Sequence, residues 1–331
     1  MMKGIKSFML DANKLSAELD KYSEIVIITH EKADGDALGS SIALALGLTG
    51  INKKVSMYYA ESISDMYSFL PGVDIINNVP PGTLPDNTLI ITVDCTDLNR
   101  SAYNTLPGST IVNIDHHISN SFFGDVNFVE PLAAASGEVI FKILKFLKID
   151  ITPDIATNLY VAISSDTGVF TYSNTTADTL RICADLVARG ADLSSIRENL
   201  YNKKSLSELF FIRESLNNMY ISADGSIIAC SINYKQMLNG NYFYTETDFL
   251  TNMMRSLEGV EVALLLKEIF SGEIKVSLRS NKYVDVNLLA NEFGGGGHPR
   301  AAGCTIRGEL EKTRDILIDR ALSFYNQVRS K

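Results

Sequence analysis

The sequence predicts an α/β protein: an N-terminal parallel-sheet domain and a smaller α+β C-terminal domain, joined by a helical linker. Short apolar runs alternate with Ala- and Leu-rich helical patterns in the first half, which is typical of parallel sheets. From Thr176 to Met219 the pattern turns helical and more polar, and strand signals then return. The chain of 331 residues is long enough for two separate cores. The expected boundaries are 1–190 for the first domain, 191–217 for the linker and 218–331 for the second domain.

The elements of the first domain follow from runs of strand or helix length. The predicted strands are Ile25–Thr29, Val55–Tyr59, Thr88–Val93 and Thr110–Ile114. The predicted helices are Leu38–Leu48, Gly137–Leu147 and Thr179–Ala188. The stretch Ile155–Ser164 is compatible with a helix or a strand, because β-branched residues interrupt its helical pattern. Met1–Asp20 mixes charged residues with Leu, which predicts an amphipathic helix and not a signal peptide.

The second half is predicted to combine helices and strands in an α+β arrangement. The predicted helices are Leu193–Leu200, Leu206–Met219, Asp248–Leu257, Asp285–Glu292 and Leu310–Val328. The predicted strands are Ser226–Ile232, Glu261–Leu266 and Glu273–Leu278.

Composition excludes several classes of partner. A net charge of −9 argues against binding long duplex nucleic acid by bulk electrostatics, although a short phosphorylated substrate is compatible with it. No apolar run reaches the roughly 18–20 residues that a membrane span needs, so no membrane partner is expected. The four cysteines contain no CxxC pair and are expected to be reduced and buried in a cytoplasmic protein. The sequence leaves open whether the protein forms a homodimer.

Histidines and aspartates collect where predicted strands end. One group follows the first strand, one follows the third, one follows the fourth, and one ends an apolar stretch. These groups are His30, Asp34 and Asp36; Asp94; Asp115, His116 and His117; and Asp166. The carboxyl ends of neighbouring parallel strands open onto one crevice, so we expect these side chains to converge. Carboxylates with a few imidazoles suit divalent cations such as Mn²⁺ or Mg²⁺. Gly35 is expected to permit a tight turn between Asp34 and Asp36.

This set of motifs resembles the DHH phosphoesterase superfamily, and within it the bacterial nanoRNase (oligoribonuclease) and pAp phosphatase group. The resemblance implies two divalent cations, Mn²⁺ or alternatively Mg²⁺. His30, Asp34 and Asp94 would hold one cation. Asp36, Asp94, His116 and Asp166 would hold the other, with Asp94 shared. Asp115 would orient the neighbouring ligands, and His117 would face the substrate phosphate.

The sequence supports narrower predictions for two further residues. Ser136 is expected to be the N-cap of the helix that follows it. Arg100, six residues after Asp94, either faces the cleft or is a surface arginine.

The segment Phe293–Gly303 contains four consecutive glycines followed by His298, the fourth histidine of the chain. Such glycines allow the backbone to approach an anion closely. The segment is similar to the glycine-rich motif of the DHH-associated C-terminal domain, and Arg279 and Ser280 match its Arg-Ser element. The resemblance implies that these residues bind a terminal phosphate or nucleotide. The implied binding residues are Arg279, Ser280, Gly295, Gly296, Gly297 and His298.

Three functions are compatible with these motifs. The first is a phosphodiesterase or phosphatase that releases 5′-mononucleotides from short oligoribonucleotides, pApA, cyclic di-AMP or pAp. The second is a manganese-dependent inorganic pyrophosphatase, although such enzymes carry a Lys/Arg-rich clamp where this chain has the glycine segment. The third is a non-catalytic nucleotide-sensing module, which loss of a ligand residue would indicate. None of the ligand positions is lost here, so the sequence favours the enzyme.

Overall fold

The structure, a computed structural model, describes residues 2–78, 88–103, 110–202, 205–244 and 247–329. The chain forms two compact units, Met1–Lys203 and Lys204–Lys331. The division falls inside the segment 191–217 that the sequence analysis assigns to a linker.

The first unit is built on a six-stranded sheet in which every described pairing is parallel. Its strands are β1 (Glu24–Ile28), β2 (Lys54–Tyr59), β3 (Ile76–Asn78), β4 (Leu89–Val93), β5 (Ile111–Asp115) and β6 (Val126–Val129). The strand order is β3-β2-β1-β4-β5-β6. Its helices are α1 (Met2–Lys21), α2 (Gly35–Gly50), α3 (Ser136–Phe146), α4 (Pro153–Asp166), α5 (Ala177–Ala188) and α6 (Leu193–Ile196).

Burial explains why the sequences of the sheet strands and of α2 are so apolar. β4 is buried along its whole length, and α2 has buried residues on nearly all sides because it packs against the sheet, α3 and α4. A parallel strand covered on both faces has no solvent side, so it reads as a continuous apolar run.

The ambiguous stretch is a helix. Thr152 caps α4 through its hydroxyl, which accepts a hydrogen bond from the Ile155 backbone, and Pro153 occupies the first turn. The predicted helix Leu193–Leu200 is wrong in part, since α6 ends at Ile196 and a π-helical segment, Arg197–Asn202, follows it.

The second unit contains another six-stranded sheet, of mixed direction. Its strands are β7 (Met219–Ile221), β8 (Ile227–Ile232), β9 (Val262–Phe270), β10 (Glu273–Ser280), β11 (Gly296–His298) and β12 (Ala301–Arg307). The order is β11-β12-β10-β9-β8-β7, and among the described strands only β8 and β9 pair in parallel. Its helices are α7 (Leu206–Asn217), α8 (Tyr234–Gly240), α9 (Asp248–Arg255), α10 (Val286–Asn291) and α11 (Leu310–Arg329). Helices cover both faces, with one core beneath α10 and α11 and another beneath α7–α9.

The predicted fold class is therefore confirmed. Among the residues that the structure describes, no helix is both long enough and apolar enough to cross a lipid bilayer. All four cysteines are free and buried.

Candidate metal centre

The strand register brings His30 and Asp94 together. Ile28 of β1 pairs with Thr92 of β4, so the residues two positions further along each strand also lie side by side. His30 Nε2 is 3.5 Å from Asp94 Oδ2. The other ring nitrogen, Nδ1, lies 2.7 Å from the Glu31 carbonyl oxygen, which fixes the orientation of the ring. Asp94 has a left-handed backbone conformation (φ +58°), which Asp tolerates better than most residues.

Asp34 completes the first group of ligand atoms. One atom each from His30, Asp34 and Asp94 lie within 4.8 Å of one another. Asp34 is also the N-cap of α2, because its Oδ1 accepts hydrogen bonds from the backbone N–H groups of Asp36 and Ala37, both at 3.0 Å. The start of α2 therefore holds this carboxylate in place.

A second group lies on the other side of Asp94. Atoms from Asp36, His116 and Asp166 also lie within 4.8 Å of one another. His116 Nε2 is 3.1 Å from Asp166 Oδ2, 3.7 Å from Asp36 Oδ2 and 3.6 Å from Asp94 Oδ1. The two oxygens of Asp94 thus face different groups: Oδ2 faces His30 and Oδ1 faces His116. A carboxylate in this arrangement can bridge two cations.

Asp115 is completely buried and accepts several hydrogen bonds. Its Oδ1 accepts from the His116 backbone N–H (2.8 Å) and lies 2.7 Å from His117 Nδ1, and its Oδ2 accepts from the Asn120 amide (2.6 Å). Asp115 therefore orients His117 and leaves the Nε2 atom of that ring for another partner. Sequence reasoning missed Asn120, since an asparagine in a loop gives no signal of such a contact.

The first turn of α3 binds two of the site carboxylates. The backbone N–H groups of Ser136 and Gly137 donate to Oδ2 and Oδ1 of Asp36, at 2.6 and 2.9 Å. The Ser136 hydroxyl donates to Asp94 Oδ1 at 2.9 Å. The expectation that Ser136 is an N-cap is wrong: Ala135 occupies that position, and Ser136 is the first helical residue. Its side chain is directed into the site.

The prediction that Gly35 is needed for a tight turn is also wrong. Gly35 is the first residue of α2, and it is not among the residues with positive φ. A Cβ atom at Gly35 would instead lie 2.7 Å from the Ser165 hydroxyl oxygen. A glycine is needed here because the end of α4 packs against the start of α2, which brings Asp166 next to Asp36.

The histidines offset part of the negative charge of this cluster. Burial lowers the pKa of His116, but the nearby Asp166, Asp36 and Asp94 carboxylates outweigh it and raise the pKa to about 10. Burial alone would raise the pKa of Asp94, yet His30, His116 and His117 hold it below its usual value. Asp34 is exposed as a whole residue, but its carboxyl group is surrounded by other residues of the site. Loss of hydration, together with the negative charges of Asp94 and Asp166, raises the pKa of this carboxyl group to about 6. Crowded carboxylates need compensating positive charge.

The donor set fits divalent cations. His116 Nε2 is buried and has no hydrogen-bond partner of suitable geometry among the described groups, although three carboxylates surround it. A nitrogen in such a position is well placed to bind a cation. Each group offers mainly carboxylate oxygens with one imidazole, which favours Mn²⁺ or Mg²⁺ over thiolate-binding metals.

The residues expected to bind a substrate end lie in the second unit. Ala301 of β12 pairs with Arg279 of β10 on one side and with His298 of β11 on the other. Directly paired residues project to the same face, so Arg279 and His298 flank the small Ala301, roughly 10 Å apart. Arg279 and His298 can form the two walls of a slot, with Ala301 as its floor.

The expectation for Ser280 needs correction, and the fold of the glycine run explains two of its glycines. Ser280 is completely buried, and its hydroxyl donates to the Val284 carbonyl oxygen at 2.6 Å, so it supports the loop and does not contact a ligand directly. The glycine run is not an open loop, because Gly296–His298 forms edge strand β11. A Cβ atom at Gly295 would clash with the Gly303 carbonyl oxygen, and one at Gly297 with that of Ala301. Close packing on β12 therefore explains both glycines.

Arg100 lies on the protein surface, in the segment that follows β4. Its residue surface is exposed, and its Nη1 is 3.4 Å from the Thr96 hydroxyl oxygen. The structure gives it no contact with the clustered carboxylates.

Comparisons with known proteins match a family domain in each of the two units. The model of the DHH family, N-terminal domain, matches residues 24–163, and that of the DHHA1 domain matches residues 231–327. The chain is 30% identical over 309 residues to the bifunctional oligoribonuclease and PAP phosphatase NrnA of Thermus thermophilus, a match that covers 92% of each chain. It is 27% identical over 310 residues to the protein of the same name from Mycoplasma genitalium, with 91% of this chain and 94% of that one covered.

One solved structure resembles this chain over nearly its full length. It is an exopolyphosphatase-related protein from Bacteroides fragilis, with a TM-score of 0.88 at 25% identity and 98% of both chains covered.

Proposed function

The chain belongs to the DHH family of phosphoesterases, and we propose that it is a two-metal hydrolase that cleaves short oligoribonucleotides and related small nucleotides to 5′-mononucleotides. The observation that carries the proposal is the position of Asp94 between two ligand groups. One of its oxygens faces His30 and the other faces His116, at 3.5 and 3.6 Å.

We propose His30, Asp34 and Asp94 as ligands of one cation, and Asp36, Asp94, His116 and Asp166 as ligands of the other. Bound cations of this kind generate a nucleophile from water near neutral pH and offset negative charge on phosphate oxygens. Mn²⁺ is the proposed physiological ion, with Mg²⁺ as the alternative. The buried, free cysteines support a reducing compartment, and we propose the cytoplasm.

The protein's own groups position the reactants. Asp115 holds His117 by its Nδ1 atom, so Nε2 is available to donate a proton to a phosphate oxygen. In the metal-free protein, burial lowers the pKa of His117, but Asp115 and Asp94 outweigh burial and raise that pKa above its usual value. The α3 N-terminus fixes both oxygens of Asp36, and Ser136 fixes Asp94, so these carboxylates keep one geometry through the reaction.

We propose a separate site for one end of a short substrate in the second unit. We propose that Arg279 and His298 bind a terminal phosphate or nucleotide, with the backbone at Gly295, Gly296 and Gly297 beside it. Arg is suited to this role because its guanidinium can donate two hydrogen bonds to one phosphate. The relatives named above are bifunctional oligoribonucleases and PAP phosphatases, which supports short RNA and pAp as substrates. We propose pApA and cyclic di-AMP as further candidates.

A substrate panel tests this function. Purified protein with Mn²⁺ is assayed for kcat/KM on di- to pentanucleotide RNA, pApA, pAp, cyclic di-AMP and pyrophosphate. We expect turnover of the short nucleotides and loss of it, by at least about a thousandfold, in Asp94→Asn. Asp97→Asn is the matched control, because Asp97 lies three residues away and only caps a short 3₁₀ helix. Fast hydrolysis of pyrophosphate with no turnover of any nucleotide would reject the proposal.

A further inference from the structure

The chain makes a strained turn directly after Asp166. Three consecutive residues have left-handed backbone conformations: Gly168 (φ +53°), Val169 (φ +55°) and Phe170 (φ +64°). A β-branched residue such as Val169 adopts this conformation rarely, because its side chain crowds the backbone there. Strain of this kind persists only where the surrounding contacts hold it, and such positions cluster at functional sites.

Contacts at both ends hold the turn against the metal centre. The Phe170 ring packs edge-on against Tyr160, with ring centroids 5.8 Å apart, and its backbone N–H donates to the Thr167 hydroxyl. After the turn, the Asn174 amide donates to the carbonyl oxygens of Asp166 and Ala134, both at 3.1 Å. The segment 168–173 therefore has a fixed position beside two loops that supply the metal centre.

The turn presents Tyr172 as a rigid aromatic surface. The Tyr172 backbone N–H donates to the Thr167 carbonyl oxygen at 3.0 Å, so the Tyr172 backbone lies beside the residue that follows Asp166. Its ring covers Gly168 so closely that a Cβ atom there would clash with it, and the residue is still 43% exposed. Gly168 thus supports one part of the ring and leaves the remainder open to a ligand.

Neighbouring loops also expose apolar side chains. Ile118 follows His117 and is 85% exposed, and Leu132 lies shortly before Ser136 and is 93% exposed. Three loops that carry or adjoin site residues thus each present at least one exposed hydrophobic side chain. Apolar side chains around a charged centre suit a ligand with a phosphate and a planar base, as a nucleotide has.

We propose that Tyr172 stacks on a nucleobase of the substrate, namely the base of a nucleotide flanking the scissile phosphate. This inference rests on the proposed function, because it takes the phosphate to lie at the metal centre. Every base has a π face, so a stack on Tyr172 gives affinity without strong sequence preference. The strain in residues 168–170 is then the cost of placing an aromatic ring beside Asp166.

Three substitutions separate stacking from simple burial. Tyr172→Phe keeps the ring, Tyr172→Leu keeps only an apolar side chain, and Tyr172→Ala removes both. On an adenine dinucleotide we expect Tyr172→Phe to retain kcat/KM, and the Leu and Ala variants to lose about 10-fold or more, mainly through KM. Tyr220→Ala is the control, since it removes another partly exposed tyrosine, on β7 of the second unit.

Abasic substrates identify the base involved. The same variants are assayed on two dinucleotides in which one base or the other has been removed. We expect the penalty of Tyr172→Ala to disappear for one of these substrates only. Mn²⁺ affinity, measured by calorimetry, should be unchanged in Tyr172→Ala, because a disturbed Asp166 would lower it.

A binding measurement makes the inference independent of turnover. A dinucleotide containing 2-aminopurine is titrated with protein in the presence of Ca²⁺, and stacking is read as quenching of its fluorescence. Failure of wild-type protein to hydrolyse any nucleotide rejects the proposed function, while quenching that is lost in the Leu and Ala variants still supports Tyr172. No quenching by wild-type protein, equal quenching by all variants, or an equal penalty on all three substrates overturns the inference.

Discussion

The Ser136 hydroxyl donates a hydrogen bond to Asp94 Oδ1, and the backbone N–H of the same residue donates to Asp36 Oδ2, at 2.9 and 2.6 Å. One buried serine therefore holds the carboxylate shared by the two ligand groups, Asp94, and a carboxylate of the second group, Asp36. Its position at the start of α3 fixes Asp94 relative to Asp36, because the helix is packed in the core and cannot shift easily.

Ser136→Ala should weaken metal binding without removing a ligand. Asp94 loses the hydrogen bond that orients it, and loss of such supporting contacts lowers metal affinity by about 10-fold or more. The measurement is calorimetric titration of the metal-free protein with Mn²⁺. Ser136→Thr retains a hydroxyl and should recover most of the affinity. Wild-type affinity in the Ala variant would show that Asp94 needs no such support.

Metal binding should release at least one proton near neutral pH. The pKa of His116 is raised to about 10, so its ring is protonated at pH 7 in the metal-free protein, and a cation at Nε2 must displace that proton. Affinity therefore rises with pH, by up to tenfold per unit, until the pH approaches 10. Calorimetry at pH 7 in two buffers with different heats of ionisation measures the release. Identical heats in both buffers would contradict this role of His116.

Arg279→Ala should raise KM for nucleotides about 10- to 100-fold, since a charge-assisted hydrogen bond to phosphate is lost. Metal affinity should stay unchanged, because the clustered carboxylates lie in the first unit. His298→Ala should act in the same direction. Lys275→Ala is the matched control: Lys275 is an exposed cation on the same face of β10. Equal kinetics in all three variants would remove Arg279 and His298 from the substrate site.

Gly295→Ala should destabilise the second unit by about 1–3 kcal/mol, because the added methyl group would overlap with the Gly303 carbonyl oxygen and with Cys304. Gly296→Ala is the control, since the nearest atoms to a Cβ there are 3.6 Å away or more. Denaturant unfolding followed by circular dichroism gives the comparison. Equal stability of the two variants would show that β11 can move away from β12.

The sequence pattern was sufficient to predict which side chains lie close together where a His or Asp residue follows the end of a predicted strand. His30 and Asp94 each follow a buried apolar run, and the rule that parallel strands open onto one crevice predicts their proximity. The fold class followed from the same runs. Even the ambiguous stretch 155–164 was limited to two readings, and capping by Thr152 determines that it is a helix.

The remainder depended on contacts between distant segments, which no local pattern contains. Ser136 looked like a helix cap because serine often is one, but its direction depends on Asp94, 42 residues earlier. Ser280 matched a motif, yet its hydroxyl is used by Val284 within a buried loop. The glycine run was consistent with an open anion-binding loop, and only the pairing with β12 shows that Gly295 and Gly297 are needed for packing.

The short outer strands of both sheets have a consequence for behaviour at high concentration. Within the described residues, the edge strands β3, β7 and β11 have three residues each and β6 has four, whereas the inner strands have five to nine. An exposed edge recruits other chains only when it offers a long, flat row of unpaired backbone groups. Pro299 directly after β11 limits that row further. The protein should therefore resist edge-to-edge aggregation even though each sheet has two open sides.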